Sequence, residues 1–236
     1  MVKRVIIPAA GVGSRLSRHA QHIPKCLMRV DGQTIAERSM EICRARGITD
    51  FVFIVGYESE AVRRVLGEGV RYYENPFYRV SNSIASLWMA RKELEGDIVI
   101  MNSDVFFDPP LLDPLLADDR PAVLLSDRTR IAEADYRFAL DGDRIVRYGK
   151  QLTDAETDAE YVGIARINAP FISRFAERLD KLVRGGRIDA WWEDALYDFA
   201  GEQPVFARDV EGQFWGEVDF MEDYQRLLDR PKTPRT

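Results

Sequence analysis

Val5-Ile6-Ile7-Pro8-Ala9-Ala10-Gly11-Val12-Gly13-Ser14-Arg15-Leu16, followed by Pro24-Lys25, is the stretch on which the reading of this chain turns. An apolar, β-branched run empties into a loop of small residues whose two glycines let the backbone come close to a ligand. Bare backbone N–H groups followed by two fixed positive charges are equipment for holding a polyphosphate. A Walker A loop would need G-x-x-x-x-G-K-[ST], and the chain has no such string. A dinucleotide fingerprint would need a third Gly or Ala where Leu16 stands. The plainer alternative is a glycine turn after a buried strand, and Arg15, Pro24 and Lys25 together weigh against it.

Bulk properties narrow the partners. At 236 residues, 46% hydrophobic and 31% charged, the chain has room for one α/β domain with a large core. A net charge of −6 argues against nucleic acid, which favours a basic face. It leaves an anionic substrate open, because local cationic loops work inside an acidic protein. Cys26 and Cys43 give neither a metal spacing nor a disulfide framework, so the expected compartment is a reducing cytoplasm. His19 and His22 read as loop polarity. Apolar runs at 51–55 and 98–101 are strand-length, well below the roughly 20 residues of a membrane span, so no membrane association is expected. The chain opens directly on a strand, so no signal peptide is expected.

In the first half, strands and helices alternate: strand 3–9, helix 34–46, strand 51–55, helix 58–67, strand 70–74, helix 82–94 and strand 97–102. Thr34 with Glu37 forms a capping box, and Gly47 ends that helix. Such alternation predicts βαβ units. After residue 120 the pattern turns β-rich, with strands at 123–125, 136–140, 144–148 and 161–167, and Asp141-Gly142-Asp143 as a hairpin turn. Helices return at 168–184 and 190–200, ahead of strand 205–210 and helix 220–229. The expected fold is a three-layer α/β/α Rossmann-like sandwich with a mostly parallel central sheet and a small β-rich flap. Residues 1–229 form one domain in this reading, and 230–236 a disordered tail. Ligands bind beyond the carboxyl ends of such strands, where the loops after 3–9 and 97–102 can meet.

Asp104 opens the second of these loops, and Glu217-Val218-Asp219 presents two carboxylates on one side of a strand far away in sequence. Two like charges 4 Å apart repel by about 4 kcal/mol at an effective dielectric near 20. A divalent cation turns that repulsion into a site, and Mg2+ suits carboxylate and phosphate oxygens. Taken singly, each acidic segment also reads as a strand-end cap or an exposed surface.

These residues together resemble the nucleotidyltransferase family, sugar-phosphate nucleotidyltransferases among them, that joins nucleoside triphosphates to phosphorylated small molecules. The Gly-rich loop, Arg15-Leu16 and Pro24-Lys25 match its opening signature. Asp104 and Glu217-Val218-Asp219 with Asp223-Tyr224 match its acidic positions. Asn75-Pro76-Phe77-Tyr78-Arg79-Val80-Ser81-Asn82-Ser83-Ile84-Ala85-Ser86-Leu87-Trp88, Gly149-Lys150 and Glu160-Tyr161-Val162-Gly163-Ile164-Ala165 look like the phosphocholine cytidylyltransferase branch, with which phosphonate cytidylyltransferases share the scaffold. The resemblance implies CTP as nucleotide and Mg2+ as cofactor, and a homodimer is compatible with such a scaffold. It places Ala9, Ala10, Gly11, Gly13, Ser14, Arg15 and Lys25 around the triphosphate. Asn82, Ser83 and Ser86 face base and ribose, and Ser83 stands where relatives often carry a second Asn. Asp104, Glu217 and Asp219 hold the metal, and Lys150 meets the acceptor phosphate, which makes Arg15, Lys25 and Lys150 the catalytic cations.

The acceptor stays open between two chemistries. A quaternary ammonium such as phosphocholine's wants aromatic faces and a carboxylate, for which Trp88, Tyr161, Trp191, Trp192, Glu193 and Asp194 are candidates, and Glu160 is a further acceptor-site candidate. A phosphonate with a second negative group would instead use arginines, from Arg79, Arg128, Arg130 and Arg137. A sugar 1-phosphate is a further alternative, and so is a nucleotide-binding regulator without turnover.

Overall fold

The computed structural model describes residues 2–13, 23–197, 199 and 204–230. Ser14, Arg15, both histidines and all of the expected tail except Arg230 lie outside them. The chain begins with β1 (Arg4–Ala9), the hairpin β2 (Arg29–Val30) and β3 (Gln33–Thr34), and α1 (Ile35–Arg44). Next come β4 (Asp50–Val55), α2 (Ser59–Leu66), β5 (Arg71–Glu74), α3 (Ser83–Met89), β6 (Ile98–Met101), β7 (Val105–Phe107) and α4 (Leu112–Ala117). The second half holds β8 (Ala122–Asp127), β9 (Arg137–Asp141), β10 (Arg144–Tyr148), β11 (Ala159–Ile167), α5 (Ala169–Arg184) and α6 (Asp194–Tyr197). It closes with β12 (Phe206–Asp209), β13 (Trp215–Glu217) and α7 (Met221–Asp229).

The main sheet has the order β5-β4-β1-β6-β11-β8-β12-β10-β9. Its β5-β4-β1-β6 side is parallel, as alternating strands and helices require. The expected mostly parallel sheet is corrected beyond β6. There β11 runs antiparallel to both β6 and β8, and the β9–β10 hairpin is antiparallel within itself. Parallel neighbours need a crossover, whereas β11 is reached through that hairpin. The β-rich segment is therefore no separate flap, since β10 pairs with β12 and β9 with β11 in the same sheet.

Alternation along the strands splits the core in two. Val5, Ile7, Phe51, Phe53 and Val99 join Met40 of α1, Val62 of α2 and Leu115 of α4 in one apolar cluster. Ile6, Val52, Ile54, Ile98 and Ile100 join Leu87 of α3 and Phe175 and Leu179 of α5 in another. Strands covered on both faces read as continuous apolar runs, and that is how they stand in the sequence. Thr34 caps α1 as expected: its hydroxyl accepts from the Glu37 N–H at 3.1 Å, and Glu37 accepts from the Thr34 N–H at 3.0 Å. Gly142 adopts φ +63° in the hairpin turn, also as expected. The helix expected over 82–94 stops at Met89, and of the one expected over 190–200 the described residues show Asp194–Tyr197. Among the described residues no helix is long and apolar enough to cross a membrane.

The segment from β5 to α3 owes its shape to Asn75, which is fully buried. Its amide Nδ2 donates to Ser81 Oγ at 3.1 Å and Ser86 Oγ at 3.0 Å, and its Oδ1 accepts from the Phe77 N–H at 3.0 Å. Removing one partner leaves the others desolvated and unsatisfied. Asn75→Ala should therefore lower the unfolding free energy by about 1–3 kcal/mol in urea titrations, with an unchanged m-value.

Candidate active site

A cleft of about 290 Å3 lies beyond the carboxyl ends of the parallel strands. Pro8, Ala9, Ala10, Gly11 and Gly13 form one wall, and Lys25 rises beside them. Gly13 has φ +61°, and a Cβ there would stand 3.1 Å from Lys25 Cγ, so glycine permits both the turn and the passage of the lysine stem. Pro24 leads into a single 3-10 turn, Lys25–Leu27, which fixes the lysine backbone.

Lys25 Nζ donates to Asp104 Oδ2 at 2.8 Å and to Asp219 Oδ1 at 2.5 Å. The two aspartates are brought together by a short ladder, in which β13 pairs antiparallel with β7 and Val218 N–H donates to the Asp104 carbonyl at 3.1 Å. Asp223 holds the turn behind them, accepting from the Asp219 and Phe220 N–H groups at 3.1 and 2.7 Å. Burial alone would push the Lys25 ammonium down, but Asp104 and Asp219 more than reverse it, and the group stays protonated. Glu217 lines the same cleft. Burial first, then the charges of Asp104 and Asp219, push its carboxyl far above the usual carboxylate range, against the pull of Lys25.

Among the described residues no three Asp, Glu, His or Cys groups are arranged as a metal centre. Lys25 lies between the two aspartates. The donor chemistry nonetheless fits a hard divalent cation. Asp104, Glu217 and Asp219 face a cleft in which Lys25 and Lys150 are the described cationic side chains, and burial together with the two aspartate charges raises the Glu217 carboxyl.

The far end of the cleft is aromatic and acidic. Tyr136 meets Trp191 edge-on at 5.7 Å between ring centroids and Tyr161 at 6.2 Å. Lys150 Nζ lies 5.2 Å from the Trp191 ring centroid and donates to Asp135 at 2.5 Å. Glu193 closes the floor, 5% exposed. Burial pushes its carboxyl up to about 8, with Asp194 adding to the rise and a backbone hydrogen bond opposing it. Trp191 is 41% exposed, whereas Trp192 is fully buried. Trp192 donates from its backbone N–H to Ser83 Oγ at 3.0 Å and from Nε1 to Asn102 Oδ1 at 3.3 Å. It thereby ties the start of α3 to the loop after β6.

Of the residues singled out in the sequence, Ala9, Ala10, Gly11, Gly13, Lys25, Asn82, Ser83, Ser86, Asp104, Lys150, Tyr161, Trp191, Glu217 and Asp219 all line this one cleft. Ser14 and Arg15 lie outside the described residues. Two acceptor candidates lie outside the lining of this cleft. Arg79 does not line the cleft; its guanidinium lies over the Tyr78 ring, 5.4 Å from the centroid. Glu160 neighbours Tyr161 on β11, and since adjacent strand residues point to opposite faces it is turned away, accepting from the Asp135 N–H at 2.9 Å and facing Arg130 at 3.6 Å. Trp88 is also elsewhere, with its Nε1 donating to Asp180. Arg128 pairs with Asp143 and Asp209, and Arg137 with Asp154.

Asp135, Tyr136 and Asn102 line the cleft without having stood out in the sequence. The nearest signal for Tyr136 was its aromatic position at the edge of an expected strand. Gly163, from the Glu160–Ala165 stretch, packs behind the cleft against Asn102 and Glu217. It has φ +84°, and a Cβ there would lie 2.8 Å from Val105 Cγ2 and 3.0 Å from both Asn102 Nδ2 and Glu217 Oε1.

Two outcomes follow from this packing. Gly163→Ala forces a left-handed non-glycine backbone against fixed neighbours, and should destabilise the fold by about 2 kcal/mol or more in urea unfolding. Glu193 titrates near 4.5 in an unfolded chain and near 8 when buried, so the folded state holds the extra proton. Its stabilising contribution is complete below about pH 4.5 and fades as pH rises through about 8. Unfolding free energies measured across this range should fall less steeply in Glu193→Gln than in the parent, by up to about 1.4 kcal/mol per pH unit. Equal slopes would contradict the assignment.

Residues 5–185 match the family model described as the MobA-like NTP transferase domain. The chain is 27% identical over 226 residues to the choline-phosphate cytidylyltransferase of Streptococcus pneumoniae, covering 95% of this chain and 96% of that protein. It is 28% identical to the 2-aminoethylphosphonate cytidylyltransferase of Lancefieldella rimae over 91% of this chain and 87% of that one. The solved structure of a CTP:phosphocholine cytidylyltransferase from Streptococcus pneumoniae gives a TM-score of 0.80 over 97% of this chain and 99% of its own. At 24% identity that likeness establishes the fold.

Proposed function

This chain belongs to the MobA-like NTP transferase family, and we propose that it transfers CMP from CTP to a small phosphate or phosphonate acceptor bearing a cationic nitrogen, releasing pyrophosphate. The nucleotide assignment is supported by relatives named as cytidylyltransferases. The reading takes residues 1–229 as one catalytic domain.

The acceptor assignment rests on one observation. The end of the cleft away from the phosphate loop presents Tyr136, Tyr161 and Trp191 with Glu193 and Asp135, while Arg128, Arg130 and Arg137 are paired with carboxylates elsewhere. Aromatic faces and acids suit a positive nitrogen, and a second negative group would find no arginine among the described lining residues. Phosphocholine and 2-aminoethylphosphonate share the required pattern, a phosphorus group and a charged nitrogen two carbons apart.

The chemistry asks mainly for positioning. A phosphate monoester has its second pKa near 6, so its oxygen is already a nucleophile at neutral pH and no general base is needed. The backbone of Ala10–Gly13, with Ser14 and Arg15, holds the triphosphate, and Lys25 meets its developing charge. Asn82, Ser83 and Ser86 face base and ribose. Lys150, on a flexible stem beside Trp191, reaches the acceptor phosphate and brings it in line with the α-phosphorus. Asp104, Glu217 and Asp219 would hold Mg2+, which when bound supplies charge compensation on the phosphate oxygens.

Pyrophosphate release with CTP, Mg2+ and a panel of acceptors tests this directly. Phosphocholine and 2-aminoethylphosphonate should be turned over ahead of glucose 1-phosphate and inositol 1-phosphate. No release with any acceptor would favour a nucleotide-binding regulator instead. Asp104→Ala should lose about a thousandfold or more in turnover while keeping its circular dichroism spectrum.

A further inference from the structure

We propose that Lys25 is a built-in counter-ion that occupies the divalent-cation position between Asp104 and Asp219 until a nucleotide draws it away. The proposal rests on the reading of Asp104 and Asp219 as metal-binding carboxylates given above.

The ammonium contacts one oxygen of each carboxylate, at 2.8 and 2.5 Å, as a cation bridging them would. Lysine and both aspartates are largely withdrawn from solvent, with side chains 16%, 20% and 18% exposed. An ammonium and a divalent ion cannot share that position without direct like-charge repulsion at short range.

Only the lysine side chain has to move. Its backbone is held by the 3-10 turn, where Leu27 N–H donates to the Pro24 carbonyl at 2.8 Å and Met28 N–H to the Lys25 carbonyl at 3.0 Å. The stem runs against Gly13 of the phosphate loop, with Lys25 Cγ, Cε and Cδ within 3.1–3.5 Å of where a Cβ would be. The tip of a four-carbon chain rooted there can reach either the carboxylates or an anion cradled by the loop. A triphosphate on the loop attracts the ammonium, and its departure bares Asp104 and Asp219. Nucleotide and metal then favour each other's binding, and by linkage the coupling is reciprocal. The lysine also keeps the two aspartates from repelling while the cleft is empty.

The test is Mn2+ binding to the nucleotide-free protein, followed by electron paramagnetic resonance of the free ion. Lys25→Met and Lys25→Gln should bind Mn2+ about tenfold or more tightly than the parent, inside the roughly 5–150-fold range usual for coupled ligands. Mn2+ should also raise the melting temperature of both variants more than that of the parent. The gain should vanish in Lys25→Met/Asp104→Asn, which locates the ion. Variants that bind Mn2+ no more tightly than the parent overturn the proposal. Should that happen while the parent releases pyrophosphate from CTP, the transferase reading stands and only the counter-ion role falls.

Discussion

A single ammonium group held by two carboxylates joins parts of the chain that share no local structure. Lys25 belongs to the N-terminal third, Asp104 follows β6, and Asp219 lies just before α7. None of the three is placed by its neighbours in sequence alone. The β7–β13 ladder aligns the two acidic segments, and the turn after Pro24 aims the lysine at them. Without the lysine the aspartates would face each other, and Glu217 behind them, in a poorly hydrated cleft where repulsion is several times stronger than in water. Burial, with the charges of Asp104 and Asp219 added, already raises the Glu217 carboxyl far above the usual range.

The same logic governs the other end of the cleft. Lys150 rests on the Trp191 ring and against Asp135, so each end carries a lysine between groups that attract cations. Acidic and aromatic surface that would otherwise be exposed is thereby satisfied internally. Each lysine sits on a flexible stem next to the place where a phosphate is proposed to bind. On the proposed reading, the Lys25 end of the cleft would exchange an internal cation for an external one without rebuilding its backbone. Rigidity comes from elsewhere: from Trp192, which links α3 to the loop after β6, and from Gly163, where β11 closes against Asn102 and Glu217.

Much of this was legible in the sequence because its signals are local. Apolar runs gave the buried strands, Thr34 and Glu37 gave the start of α1, and glycine spacing with Pro24-Lys25 pointed to one wall of the cleft. The meeting of Lys25 with Asp104 was also readable, since the topology of a parallel sheet brings strand-end loops to one edge, and the antiparallel β7–β13 ladder adds Asp219 to them. What escaped depends on pairing between distant strands. The antiparallel insertion of β11 follows from a hairpin, whose register the sequence does not announce. That register decides that Tyr161 enters the cleft and Glu160 leaves it. Tyr136 and Asp135 reach the cleft because β9 pairs with β11. Arg79 stands outside the cleft for a related reason, because its loop is fixed by the buried amide of Asn75, and the adjacent Tyr78 takes the inward position.

The central claim is that these remote segments form one ion-handling cleft. Paramagnetic broadening of backbone amide signals by Mn2+, with CTP and phosphocholine bound, tests it most directly. The account requires residues 25–26, 103–105 and 217–219 to broaden together while the surface of α5 stays sharp. If any one of those three segments remains sharp while the others vanish, the cleft is not the unit described.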